Sequence, residues 1–177
     1  VRVWLSVTTL DPALARRMEP RAPTPARRLA AVAALAQAGV PAGVLAAPMI
    51  PGLNDAELER ILEASAKAGA ESAGYVLLRL PHELREIVED WLHRHYPDRA
   101  RRVLALIRET RTGALNDARF GKRMRGSGPY AELLAQRFRR AARQYGLEGR
   151  RELDCSAFAP PALAGAAGFA EAQMSLF

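Results

Sequence analysis

A parallel α/β arrangement is expected of this chain on three grounds. Short apolar runs rich in Val, Leu and Ala alternate with stretches of helical periodicity. Each run leads into Ser, Thr, Pro, Gly or Asn, the residues that build ligand sites at the carboxyl edge of such sheets. The intervening segments are long enough for crossover helices, so the strands should be parallel and the crossovers right-handed. The 177 residues and 49% hydrophobic content suit one domain of ordinary size with an ample core.

The first run, Val1 to Thr9, passes into Leu10-Asp11-Pro12. Thr24 then caps a helix with Pro25 in its first turn, Leu29, Val32 and Leu35 at helical spacing, and Gly39 as its stop. A second strand follows from Gly39 to Pro48 and ends in the turn Met49-Ile50-Pro51-Gly52-Leu53-Asn54-Asp55. Asn54 or Asp55 is placed to cap the next helix, which carries Leu58, Ile61, Leu62 and Ala66 on one face and stops at Gly69. Ser72 to Pro81 is an apolar run bounded by Gly and Pro, a third buried strand.

Beyond Pro81 the pattern is helical. Leu84, Ile87, Val88, Trp91 and Leu92 mark one helix, and Val103, Leu104 and Ile107 mark another after Tyr96-Pro97-Asp98. Residues 111 to 129 break the pattern with four glycines and a basic loop. A last helix, Tyr130 to Tyr145, is expected to turn Leu133, Leu134, Phe138 and Tyr145 inward and Arg139, Arg140 and Arg143 outward. After Asp154 the composition becomes Ala, Gly and Pro rich, which suits a flexible tail.

Net charge is +7, and it is unevenly spread: residues 98 to 151 hold 15 Lys/Arg against 5 Asp/Glu, leaving −3 for the remainder. Only Lys67 and Lys122 are lysines, so a genomic bias toward Arg accounts for identity but not for clustering. A basic segment of this kind serves either as a solvated face or as a phosphate-binding one. Aromatic residues are sparse and do not interleave with the arginines, which argues against single-strand recognition of the usual stacking type. A single cysteine, Cys155, excludes an internal disulfide and cannot by itself supply a metal cluster. The Ala-rich run from Ala30 to Ala38 is too polar to span a bilayer and no signal-peptide layout is present, so no membrane partner and a cytoplasmic location are expected.

Several side chains suit a ligand site. Ser6 and Thr8 alternate with Val3, Leu5 and Val7 and so are expected to share the inner sheet face, where hydroxyls either hold a ribose or an amino-acid head group or simply start the next loop. In Met18-Glu19-Pro20-Arg21-Ala22-Pro23, Glu19 and Arg21 offer a carboxylate and a guanidinium on a stiff loop, suited to a zwitterion or to a routine ion pair. Arg79 leaves the third strand, facing a ligand or pairing with Glu83. Lys122, Arg123, Arg125, Ser127 and Gly128 lead into the last helix, an arrangement for phosphate or nucleic acid. Gln173, Leu176 and Phe177 close the chain in Gln-Met-Ser-Leu-Phe, which resembles the peptide by which bacterial replication and repair proteins dock on the sliding clamp.

Taken together, Ser6 to Asp11, Met18 to Pro23, Ala47 to Asp55, Gly74 to Pro81 and Phe120 to Gly126 resemble the second half of radical S-adenosylmethionine (SAM) proteins, in particular an uncharacterised bacterial group related to spore photoproduct lyases. The resemblance implies α/β architecture: the carboxyl-terminal half of a partial (β/α)6 TIM-like barrel with parallel strands, then a helical carboxyl-terminal extension. The implied divisions are 1–96 for the half-barrel, 97–151 for the basic extension and 152–177 for the tail. It further implies SAM and a 4Fe-4S cluster in the complete protein, whose Cys-x3-Cys-x2-Cys loop is absent from this chain. The sequence is then a fragment unable to generate the 5′-deoxyadenosyl radical alone. By the same resemblance Ser6, Thr8, Glu19, Arg21, Pro48, Asn54 and Arg79 are cofactor-binding, and a lyase-like role in DNA repair is the leading expectation. Two alternatives stay open: a basic nucleic-acid or phosphate-binding α/β module without radical chemistry, and a phosphate-binding partial barrel without iron.

Overall fold

The computed structural model describes residues 1–149 together with Ser156 and Ala159. Three strands, β1 (Val3–Ser6), β2 (Ala42–Met49) and β3 (Ser72–Leu77), form one sheet in the order β1-β2-β3, and both pairings are parallel. The helices are α1 (Pro12–Met18), α2 (Pro25–Gln37), α3 (Leu58–Lys67), α4 (Leu84–His95), α5 (Pro97–Glu109) and α6 (Pro129–Gln144), with a 3-10 turn at Asp55–Glu57 before α3. The parallel α/β expectation therefore holds as a three-stranded sheet with crossover helices.

One face of the sheet carries the main core. Val7, Val44, Ala46, Tyr75 and Leu77 pack against Val32 of α2, Ile61 and Leu62 of α3, and Leu134 and Phe138 of α6. A second cluster gathers Ile50 and Leu80 with Leu92 of α4 and Val103, Leu104 and Ile107 of α5. On the other face Trp4, opposite Gly43 in the register, is 42% exposed. A Cβ on Gly43 would come within 2.8 Å of the Trp4 ring and of Ser72 Oγ, so only glycine lets the indole lie across β2.

The outer edge of β3 is closed by the chain itself. Ala73 N–H donates to Leu147 C=O, Gly149 N–H to Glu71 C=O, and Leu77 N–H to Met124 C=O. Among the described residues no strand pairs with the outer edge of β1.

Four details differ from expectation. The first strand is shorter, because the backbone leaves the sheet at Ser6 to meet Asn54 and Glu57. Pro12–Met18 forms a helix: Asp11 Oδ1 accepts from Ala13 N–H at 2.7 Å, and Pro12 sits in the first turn. Neither Asn54 nor Asp55 caps α3 in the ordinary way, since Asn54 spends its amide on strand ends and Asp55 begins the 3-10 turn. Leu133 is 53% exposed rather than inward, because Ala131, Leu134, Phe138 and Ala141 take the buried stripe of α6. No helix among the described residues is long and apolar enough to cross a membrane.

Candidate functional site

The carboxyl ends of β1 and β2 are joined by one side chain. Asn54, fully enclosed, accepts from Ile50 N–H through Oδ1 at 2.6 Å and donates through Nδ2 to Thr8 C=O at 2.7 Å and Pro48 C=O at 2.9 Å. Its amide is thereby occupied in clamping the strand ends together. Glu57 holds the following loop, accepting from Thr9 Oγ1 at 2.6 Å and from Leu10 N–H at 2.8 Å.

Arg28, on α2, gathers the other half of this edge. Its guanidinium donates to Ser6 C=O at 2.8 Å, to Pro23 C=O at 3.1 Å and to Glu19 Oε2 at 2.9 Å. The end of β1 and the loop from Glu19 to Pro23 are thus drawn around one cation. Glu19 also lies 3.2 Å from Thr8 Oγ1, a hydroxyl equally able to donate to Ala47 C=O at 3.0 Å. Ser6 is exposed while Thr8 is buried at 3%, so only the first of the two hydroxyls is open to solvent. Arg21 is exposed and makes no hydrogen bond or ion pair with the described residues. The structure therefore leaves Ser6 and Arg21 open to solvent at this edge, and commits Thr8, Glu19 and Asn54 to internal bonds.

Pro48 follows a cis peptide bond and gives its carbonyl to Asn54. Arg79, half-buried, makes no ion pair with Glu83 among the described residues, and its Nε is enclosed without an acceptor. Beside it stands Arg111, wholly buried, whose two terminal nitrogens donate to four carbonyls: Leu77 at 3.0 Å, Leu78 at 3.1 Å, Lys122 at 3.0 Å and Arg123 at 2.9 Å. Burial first, and then the neighbouring Arg79 charge, lowers the Arg111 pKa from its ordinary value.

The basic loop is therefore bonded to the end of β3. Gly126 has φ +75°, and a Cβ there would stand 2.9 Å from both Thr110 C=O and the Leu77 side chain. Arg125 lies over the Tyr75 ring at 4.4 Å and Arg123 over Phe120 at 5.5 Å, while Lys122 is exposed. Ser127 donates its N–H to Thr110 C=O, and Gly128 precedes α6 with φ +88°. Asp117 is held far below the usual carboxylate range by side-chain and backbone hydrogen bonds from Arg119.

On the far side of the Asn54 turn, Tyr130 O–H donates to Asp55 Oδ2, and Asp55 Oδ1 accepts from Gly52 N–H at 2.9 Å. Burial, and then the bond to Asp55, push the Tyr130 hydroxyl up to about 12. Arg137 grips Glu59 with two bonds of 2.7 Å and lowers its pKa.

Sequence reasoning missed Arg28, Glu57 and Arg111. Each is a charged residue on or beside a helix whose partners are mostly carbonyls or amides of distant segments, a pairing that spacing does not signal. Gln173, Leu176 and Phe177 lie outside the described residues, as does Cys155. Among the described residues no group of three or more His, Cys, Asp or Glu could hold a metal ion. The described residues thus do not fit an iron-sulfur cluster, which needs several thiolates. The Ser6 hydroxyl and the Arg21 guanidinium are the exposed polar groups of this edge.

Residues 1–64 match the family model of the Radical SAM superfamily. The match spans β1, α1, α2, β2 and the first part of α3, the elements that build this edge. Uncharacterized proteins of Mycobacterium bovis and Mycobacterium tuberculosis are 36% identical over 110 residues, 61% of this chain and 32% of theirs. The chain thus spans about a third of the length of the curated relatives it matches. No solved structure matches it.

Proposed function

We propose that this chain is the carboxyl-terminal part of a radical SAM enzyme and that its strand edge holds the cofactor's polar moieties. The match of residues 1–64 to the superfamily carries this reading. Its most informative support is that the matched elements also build the Ser6, Glu19 and Arg21 edge. Bound beside a 4Fe-4S cluster in the complete protein, SAM would supply radical chemistry for hydrogen abstraction. This chain's residues would bind and orient. Ser6 offers a hydroxyl to the ribose or the amino-acid group, and Arg21 offers a guanidinium to the carboxylate. Glu19, held by Arg28, positions the loop that presents Arg21. Arg79 is a further contact on the substrate side of the edge.

The thiolate ligands belong to a segment preceding Val1, within a six-unit half-open barrel of which this sheet is the later part. Kinship with spore photoproduct lyases, a lyase-like reaction in DNA repair and clamp docking through Gln173, Leu176 and Phe177 are the finer parts of the same proposal.

The test uses the complete protein, reconstituted anaerobically with iron and sulfide. SAM binding measured by calorimetry should weaken about tenfold in Ser6→Ala and more in Arg21→Ala, the value of a hydrogen bond to a charged group. Unchanged affinity in both variants, or a preceding segment without a three-cysteine loop, refutes the proposal.

A further inference from the structure

The last helix carries a row of arginines that the strand-edge site does not use. Arg139, Arg140 and Arg143 are exposed and form no ion pair among the described residues. With Gln136 and Gln144 they line a cleft of about 410 Å³. Arg139 also lines a larger neighbouring cleft of about 780 Å³ along the outer edge of β3, where Arg125, Phe138 and Trp4 join it. The two clefts share Arg139 in their walls, so cations from Arg143 to Arg125 line adjoining clefts.

The lining combines charge with flat faces. Arg125 stacks on Tyr75 at 4.4 Å and stands 5.7 Å from the Phe138 ring, which fixes its guanidinium at the cleft wall. The stacking leaves the N–H edge of that guanidinium available to an anion. Trp4, backed by Gly43, presents an indole that is 42% exposed. One carboxylate, that of Glu148, lines the larger cleft as well, and no acid lines the smaller. Trp4 is separated from these arginines by more than half the chain, which is why sequence order hid the pairing of aromatic with cation.

We propose that these two adjoining clefts bind single-stranded nucleic acid, with backbone phosphates on Arg125, Arg139, Arg140 and Arg143 and a base stacked on Trp4. A lone phosphate would occupy one cleft, whereas a polyanion accounts for both. A single strand, unlike a duplex, can offer an unstacked base to an indole at the end of a basic track. A lipid surface needs apolar side chains to insert beside the cations, and on α6 Leu133 is the one large exposed apolar residue. This site is separate from the proposed cofactor edge and stands or falls without it.

The experiment is fluorescence anisotropy of a labelled oligothymidylate of about 16 nucleotides, titrated with the full chain across a salt series from about 50 mM. Saturable binding that weakens steeply with salt is expected. Arg139→Ala with Arg143→Ala should weaken it at least about tenfold and flatten the logarithmic salt slope by about 0.7 for each phosphate no longer neutralised. Trp4→Ala should weaken it about tenfold with the slope unchanged, because stacking releases no counterions. Trp4→Tyr, which keeps a ring, should restore most of the affinity. Arg94→Ala with Arg101→Ala, exposed cations of α4 and α5, is the charge-matched control and should have little effect. The proposal is overturned by the absence of saturable binding at the lowest salt, by a double variant no weaker than the control, or by tighter binding of a duplex of the same length. It is equally overturned if Trp4→Ala folds and binds as the parent does. The arginine pair is solvent-exposed and carries the test should Trp4→Ala not fold.

Discussion

At the junction of β1 and β2, three backbone groups converge on the side chain of Asn54, and no other side chain of its size offers one acceptor and two donors in that arrangement. Asn54→Ala leaves Thr8 C=O, Pro48 C=O and Ile50 N–H without this partner in an enclosed place, and the expected cost is about 3 kcal/mol, read from urea unfolding. Tyr130 gives a second residue-level expectation. Its hydroxyl ionises near 12 in the folded chain and near about 10 in the unfolded one. The sign follows from linkage: the protonated hydroxyl stabilises the fold fully below about pH 10, and that contribution disappears as pH rises through 12. Tyr130→Phe should therefore lower unfolding free energy by about 1 to 2 kcal/mol at neutral pH and remove the highest tyrosinate absorbance step. A lost step that titrates at about pH 10, the value of a free phenol, would contradict the Asp55 pairing. The positions of Ser6 at a strand end and of Arg21 on an exposed, proline-bounded loop were readable in the sequence. Arg28 was not, since its acceptors lie on two other segments.

Among the elements, the basic loop between α5 and α6 owes its position to Arg111. A buried guanidinium answering four carbonyls ties Lys122 and Arg123 to the end of β3, and Met124 C=O closes the strand edge. Arg111→Met would fill much of the same volume while releasing all four acceptors. Amide exchange at Leu77 and Ser127 should accelerate at least about tenfold, with a stability loss of about 3 kcal/mol. Exchange at Ile61 and Leu62, in the middle of α3, should change only as far as global stability changes. The loop reads in sequence as glycine-rich and cationic, and that much is correct. Its close docking was hidden because Arg111, lying among so many arginines, looks like one more surface charge. Pro12–Met18 illustrates the opposite case: Asp11-Pro12 is an ordinary helix start that the eye passes over when the preceding residues read as strand.

Across the whole molecule, one sheet face is covered by α2, α3 and α6, while the other keeps Trp4 in partial contact with solvent. Phe138 joins the last helix to this arrangement through Tyr75, with ring centroids 4.9 Å apart. Phe138→Ala should cost about 3 to 4 kcal/mol and lower the melting temperature, because the cavity opens between α6 and β3 where neither can collapse freely. A loss below about 1 kcal/mol would mean that α6 is not part of the cooperative core. The parallel α/β character and the order of strands and helices, α1 excepted, followed from sequence alone. Apolar run length, helical spacing and the residues at strand ends are local properties, and neighbours in the chain decide them. Which hydroxyls remain open at that edge, which arginine is buried, and that Trp4 shares a cleft with Arg139 were settled only by tertiary structure. Those outcomes depend on hydrogen bonds and ring contacts between segments tens of residues apart, and such contacts leave no periodic trace in the sequence.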